Sequence, residues 1–203
     1  SQKSGHGIER FANGDIYEGN YEDGVFSGIG VYYWVNGSVY KGEFKNGLRD
    51  GNGVYQSELR EKYEGSYREG KKHGYGVFIW PSGNVYKGDF VNDLREGYGE
   101  MSWKDGSYYK GQWMRGIQNG KGEFLVPRKY DVKGVFHKNV YGEQQNSPGV
   151  KIPNRSQVKS LKAASMNFHD SNTRHKKILS KNNELEEVIK AIQKNPDTGT
   201  VKL

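Results

Sequence analysis

Aromatic and polar positions alternate in short runs along most of the chain. In Tyr17-Glu18-Gly19-Asn20-Tyr21, positions 17, 19 and 21 take one side and 18 and 20 the other, as side chains on a β-strand do. Asp23-Gly24 follows and is a tight-hairpin signal, because Gly accepts the positive φ that such turns need. Positions 28, 30, 32 and 34 (Gly, Gly, Tyr, Trp) then share a side again, and Asn36-Gly37 sends the chain back. The pattern predicts two antiparallel strands, with rings and bare glycines on one face and a polar mixture on the other. Glycines beside rings let the rings lie flat on the backbone.

This unit recurs without insertions. Its copies start at 17, 40, 63, 86 and 109, with a degenerate copy from 132, so the step is 23 residues. Residues 1–16 are a partial copy: Gly5, Gly7, Phe11, Asn13 and Gly14 stand 23 before Gly28, Gly30, Trp34, Asn36 and Gly37. The first aromatic column runs Tyr17, Tyr40, Tyr63, Tyr86, Tyr109, Val132; the second runs Tyr21, Phe44, Tyr67, Phe90, Trp113, Phe136. A late column reads Trp34, Ser57, Trp80, Trp103, Val126. Asp93 and Asn139 replace turn glycines mildly, since Asn and Asp tolerate left-handed geometry. Arg60 and Lys129 replace the other turn glycine and predict different turns there. Strands about 4.8 Å apart give roughly 10 Å per unit and an open strip about 50–60 Å long, twisted and single-layered. In such arrays stability is shared between neighbouring units.

Residues 143–203 differ in kind. They hold one aromatic (Phe168) and two glycines, against 26 and 27 before them. Residues 143–173, with Pro148 and Pro153, read as a linker in which Val158, Leu161, Ser165 and Phe168 mark a short, weakly amphipathic helix. Residues 174–195 read as an amphipathic helix with Ile178, Leu185, Val188, Ile189 and Ile192 on one stripe, and 196–203 as a disordered end. The stripe needs a partner, because a lone helix of that length is marginal in water.

Composition then narrows the chemistry. Of 203 residues only 33% are hydrophobic, yet 13% are aromatic and 29 are Gly, so a conventional aliphatic core is not expected. There is no Cys, hence no disulfide, thiolate metal site or Cys nucleophile. No apolar run approaches the roughly 20 residues of a membrane helix. Residues 1–142 carry 20 Lys/Arg against 18 Asp/Glu and residues 143–203 carry 11 against 6, so the net +7 comes mainly from the tail. The five histidines are scattered, and His73 is expected at an exposed turn position. The Gly-x-Gly pairs lack the Lys-Ser/Thr and the helix of a phosphate loop. Glu18, Glu64 and Asp89 alternate with Lys41, Lys87 and Lys110 as a solvated face. No catalytic or metal site and no cofactor is expected. The chain opens partway through a unit and without Met, which leaves upstream repeats or a further domain open.

With Tyr-(Glu/Lys)-Gly-x-(Tyr/Phe/Trp) followed by a spaced Gly and Gly-x-Gly, every 23 residues, the array over residues 1–142 resembles the MORN (membrane occupation and recognition nexus) repeat. The resemblance implies a twisted strip of hairpins with an aromatic groove, and a non-enzymatic scaffold. Plain arrays of this type resemble components of ciliary axonemes, radial-spoke heads included, and of cortical cytoskeletons, which implies a cytoplasmic, cytoskeletal setting. Two other roles stay open: an adaptor binding acidic phospholipid, and the regulatory region of a larger enzyme, since such arrays also precede lipid-kinase and SET methyltransferase domains.

The aromatic face has two compatible uses. Packing between hairpins takes most of the first column. Docking of a helical or extended protein segment takes Tyr21, Trp34, Tyr67, Trp80, Phe90, Trp103 and Trp113 as candidates, aromatic anchors being common hot spots. The chain's own helix can use the same groove through its stripe; docking on another protein, or a tail without fixed structure, are the alternatives. Arg174, Lys176, Lys177 and Lys181 are candidate contacts to acidic lipid, cut short by Glu184, Glu186 and Glu187. Nucleic acid is not an expected partner, because the aromatic region is nearly neutral. Self-association stays open.

Overall fold

The computed structural model describes residues 2–142 and, beyond them, Ser180, Asn183 and Glu187 singly, which have helical backbone. Apart from those three positions, the expected linker, helix, apolar stripe and basic lipid contacts lie outside the described residues. The described chain forms β1 (Gly5–Arg10), β2 (Ile16–Glu22), β3 (Val25–Tyr33), β4 (Val39–Lys45), β5 (Leu48–Gln56), β6 (Lys62–Arg68) and β7 (Lys71–Ile79). It continues through β8 (Val85–Val91), β9 (Leu94–Ser102), β10 (Tyr108–Met114), β11 (Ile117–Val126), β12 (Tyr130–His137) and β13 (Val140–Gly142). Spatial order follows sequence order in one open sheet of 13 strands, each pairing antiparallel with the next. Among the described residues, the expected strip of consecutive hairpins is therefore the fold.

One register unites it. Gly7, Gly19, Gly30, Gly42, Gly53 and Gly65 stand opposite one another in successive strands. The row continues through Gly76, Gly88, Gly99, Gly111, Gly122 and Gly134. A glycine spine thus crosses twelve strands. It is bare because a ring lies on it: a Cβ on Gly30 would sit 2.5 Å from the Tyr17 hydroxyl oxygen, and one on Gly19 2.6 Å from it. The same ring-on-spine contact recurs at Tyr40, Tyr63, Tyr86 and Tyr109.

The hairpin turns explain the acidic and amide residues beside the turn glycines. Asp23 and Gly24 both have positive φ (47° and 82°), as do Asn46 and Gly47, Glu69 and Gly70, and Asn92 and Asp93. Two such residues in a two-residue loop make a type I′ turn, whose twist matches that of the strands. The turn N–H also ties backward. Gly70 N–H donates to the Arg49 carbonyl and Gly116 N–H to the Arg95 carbonyl, one unit earlier.

Three expectations change. The first Gly of each Gly-x-Gly does not share the ring face. Gly28 has φ +64°, the pairing shifts register beside it, and a Cβ there would meet the Asn20 side chain. Arg60 keeps the turn it was expected to alter: its φ is +65° and its N–H donates to Ser57 O, as Gly37 N–H does to Trp34 O. At Lys129 the turn does differ, because the left-handed residue there is Arg128. His73 is not in a turn but within β7, half-buried, and its Nδ1 has no hydrogen-bond partner among the described residues.

A candidate protein-docking face

The aromatic face carries two rows of rings. The inner row is a zigzag built from both predicted columns. Tyr17 meets Tyr21 edge-on at 5.2 Å and Phe44 at 5.2 Å; Tyr40 meets Phe44 and Tyr67; Tyr63 meets Tyr67 and Phe90. Tyr86 meets Phe90 and Trp113, and Tyr109 meets Trp113 and Phe136. Each first-column tyrosine therefore clamps the second-column ring of its own unit and that of the next. Edge-to-face pairs are favoured by the ring quadrupole, at about 1 kcal/mol each beyond area burial.

The five tyrosines are fully buried, at 0% exposure. Each hydroxyl donates to the backbone carbonyl three residues on: Asn20, Glu43, Ser66, Asp89 and Gln112. Burial without a charged donor disfavours the phenolate, so the Tyr109 pKa is pushed up to about 12 and those of the other four are raised as well.

This packing corrects four of the seven expected contact residues. Tyr21, Tyr67, Phe90 and Trp113 are 3–6% exposed, sealed in the zigzag by the neighbouring tyrosines. The Trp113 indole N–H is also spent, donating to Gly99 O at 3.1 Å. They hold the strip together and present no surface to a partner. Trp34, Trp80 and Trp103 behave otherwise. They lie half-buried at the opposite end of the strands from the I′ turns, within an outer row that also holds Phe11, Tyr32, Tyr55, Phe78 and Phe124. Trp34 rests on Tyr32 and Tyr55, Trp80 on Phe78, Trp103 on Phe124. No bond from their indole N–H groups is found among the described residues.

A third column was not recognised in the sequence. Lys3, Phe26, Arg49, Lys72, Arg95 and Gln118 recur every 23 residues; Lys3 precedes β1, the other five are each the second residue of a long strand, and four of the six are cations. The register sets Arg49 opposite Phe44, Lys72 opposite Tyr67 and Arg95 opposite Phe90. The cations lie over the rings: the Arg49 guanidinium carbon is 4.9 Å from the Tyr67 centroid and that of Arg95 4.4 Å from Trp113. Arg95 also reaches within 6.0 Å of Trp80, so it bridges the inner and outer rows. The column's period of 23 is the signal by which the sequence carries it.

The far face is the expected mixture. Lys110 pairs with Glu100 at 3.7 Å and Lys62 with Glu64 at 3.2 Å. A small apolar cluster of Val31, Ile29, Tyr33 and Val39 interrupts it near the start of the array. Among the described residues no cluster of His, Asp and Glu has metal-binding geometry, and no helix is long and apolar enough to cross a membrane.

The family model of the MORN repeat matches residues 1–16, 17–39, 40–58, 63–85, 86–108 and 109–125, more than half of the chain. This chain is a member of the MORN-repeat family. The unmatched gap at 59–62 holds Arg60, and the match stops two residues before Pro127. The MORN repeat is a non-enzymatic repeat type, and its presence suggests a scaffold or adaptor role. Among solved structures, the chain is similar to the TCP domain of SAS-4 (dCPAP) of Drosophila melanogaster in complex with a proline-rich motif of Ana2 (dSTIL). The identity is 16%, the coverage 64% of this chain and 72% of that one, and the TM-score 0.42. The comparison with curated proteins found no match.

Proposed function

We propose that this MORN array is a non-enzymatic scaffold whose aromatic face docks a helical or extended segment of a partner protein, in a cytoskeletal or ciliary assembly. The observation that carries the reading is the outer row. Once the zigzag has closed on the glycine spine, Trp34, Trp80 and Trp103 are left half-buried along the same face, with ring edges and indole N–H groups unspent. Such rings add large contact area at little cost in side-chain entropy.

A photo-crosslinking residue in place of Trp80 tests the face, with the same residue in place of Lys87, exposed on the far side, as control. Crosslinks to a partner protein in ciliated or cortical extracts are expected from position 80 and not from position 87. A Trp80→Ala/Trp103→Ala chain should lose that partner while keeping its β-sheet spectrum. Equal crosslinking from both positions, or undiminished capture by the folded double variant, would sink the proposal. Sedimentation with vesicles of neutral and of acidic phospholipid runs beside it; binding to the acidic vesicles alone favours a membrane adaptor instead.

A further inference from the structure

The cation column shows which chemistry a docked segment should carry. In the first unit the cation has its own carboxylate. Lys3 Nζ lies 2.5 Å from Glu9, whose other oxygen accepts the Tyr21 hydroxyl at 2.9 Å. The Lys3 contact and the Tyr21 bond hold the Glu9 carboxyl below the usual range against its partial burial. A carboxylate therefore fits on the ring face between the column cation and the second-column ring.

The units of Arg49, Lys72 and Arg95 keep the cation without that carboxylate. The positions 46 and 92 residues after Glu9 are Tyr55 and Met101. Lys72 recovers a counter-ion from the turn, where Asp93 replaces Gly and sits 3.3 Å away. Arg49 and Arg95 recover none: among the described residues neither is ion-paired. Each spends one donor on a carbonyl, Gly70 O at 2.6 Å and Gly116 O at 2.5 Å. A guanidinium has five N–H donors in a planar fork suited to a carboxylate. Both lie half-buried against rings, where little water competes for them.

We propose that Arg49 and Arg95 pair with two carboxylates from one acidic protein segment lying along the strip, as Lys3 pairs with Glu9. This rests on the docking reading above and specifies its partner. The two arginines are four strands apart, about 19 Å. An extended segment spans that in about six residues, and a helix in about thirteen. Asp or Glu at one of those spacings, with apolar residues between for Trp80 and its neighbours, is the expected motif.

Selection of a phage-displayed random peptide library on the full chain tests this. Peptides selected by the wild type should be enriched in Asp or Glu at one of the two spacings. Arg49→Gln/Arg95→Gln should abolish that enrichment and weaken the selected peptides about tenfold or more, and Arg49→Lys/Arg95→Lys should restore part of it. Thermal unfolding checks that each variant is folded. Tyr55→Glu gives an independent arm. It recreates the Glu9 arrangement beside Arg49 and should weaken acidic peptides without removing either arginine. Selected peptides without acidic enrichment, or acidic peptides that bind the glutamine variant equally, overturn the inference. If such peptides still depend on Trp80, the docking face stands and only the acidic motif fails; if nothing is selected, both fail. Loss of binding to phosphatidylserine vesicles on Arg49→Gln/Arg95→Gln, with no acidic enrichment among peptides, assigns the arginines to lipid and overturns it too.

Discussion

Tyr63 and Trp80 lie on one face of one unit and are both large aromatic residues, yet they do opposite things. Tyr63 is closed on every side: glycines beneath, Tyr67 and Phe90 edge-on, its hydroxyl bonded to Ser66 O. Trp80 has Phe78 on one side and the Arg95 guanidinium near the other, and is half-open. The difference comes from the glycine spine. Where a strand offers Gly to its neighbour, a ring collapses onto backbone and becomes core. At the turn beyond, where the spine gives no bed, the ring stays at the surface. An array of this kind makes its core and its candidate docking surface from one residue class, sorted by the position of Gly.

The sharpest way to break the inner row is alkali. Burial raises the pKa of Tyr17, Tyr40, Tyr63, Tyr86 and Tyr109, so folding binds protons that the unfolded chain releases near pH ~10. Their stabilising effect is complete below that pH and is lost as pH rises toward the folded values. Five phenols at roughly 1.4 kcal/mol per pH unit each amount to several kcal/mol by about pH 11. The phenolate absorbance of these five, out of 15 tyrosines, should therefore rise together with loss of the sheet signal. Ionisation of all 15 in a still-folded sheet would show that these rings are not sealed.

Next is the spine itself. A Cβ on Gly76 would lie 2.4 Å from the Tyr63 hydroxyl oxygen. Gly76→Val should cost about 3 kcal/mol in urea unfolding, because the ring it displaces has no second place to go. A variant as stable as wild type would show that the rings do not need the spine. The comparison can then be made on the rings. Tyr63→Ala should cost about 3–5 kcal/mol and Tyr63→Phe, which loses one hydrogen bond, about 1 kcal/mol. Trp80→Ala should cost less than Tyr63→Ala and act instead on partner capture. Equal stability losses at 63 and 80 would erase the distinction between the rows.

Most of this sheet was legible because strand alternation and a fixed period leave few choices: consecutive hairpins, rings on one face, Gly beneath them. The candidate site was legible only in part. Periodicity finds Tyr67 and Trp80 equally well, but it cannot tell which ring the next unit will cover, so it offers four buried rings as contacts alongside three half-open ones. The bulge at Gly28 also escaped, because a positive φ turns a residue off its expected face without any change of spacing. The cations failed to register for a different reason. Arg49 and Arg95 look like ordinary solvated charge until Lys3, at the same place in the first unit, is seen to pair with Glu9.

The smallest predicted effect separates two positions that the sequence treats alike. Arg60 and Lys129 both stand where other units have Gly. Arg60 sits at φ +65°, where a side chain costs ~1–2 kcal/mol, while the left-handed residue of the later turn is Arg128. Gly in place of Arg60 removes that strain but also loosens the unfolded chain by about 0.4–1 kcal/mol. Arg60→Gly should therefore raise stability by roughly 0.5 kcal/mol. Lys129→Gly has no strain to relieve and should lower it by about 0.4–1 kcal/mol. Urea midpoints of the two variants, measured side by side, should move in opposite directions. Shifts of the same sign would mean that the two turns share one backbone after all, and that the array's end is as regular as its middle.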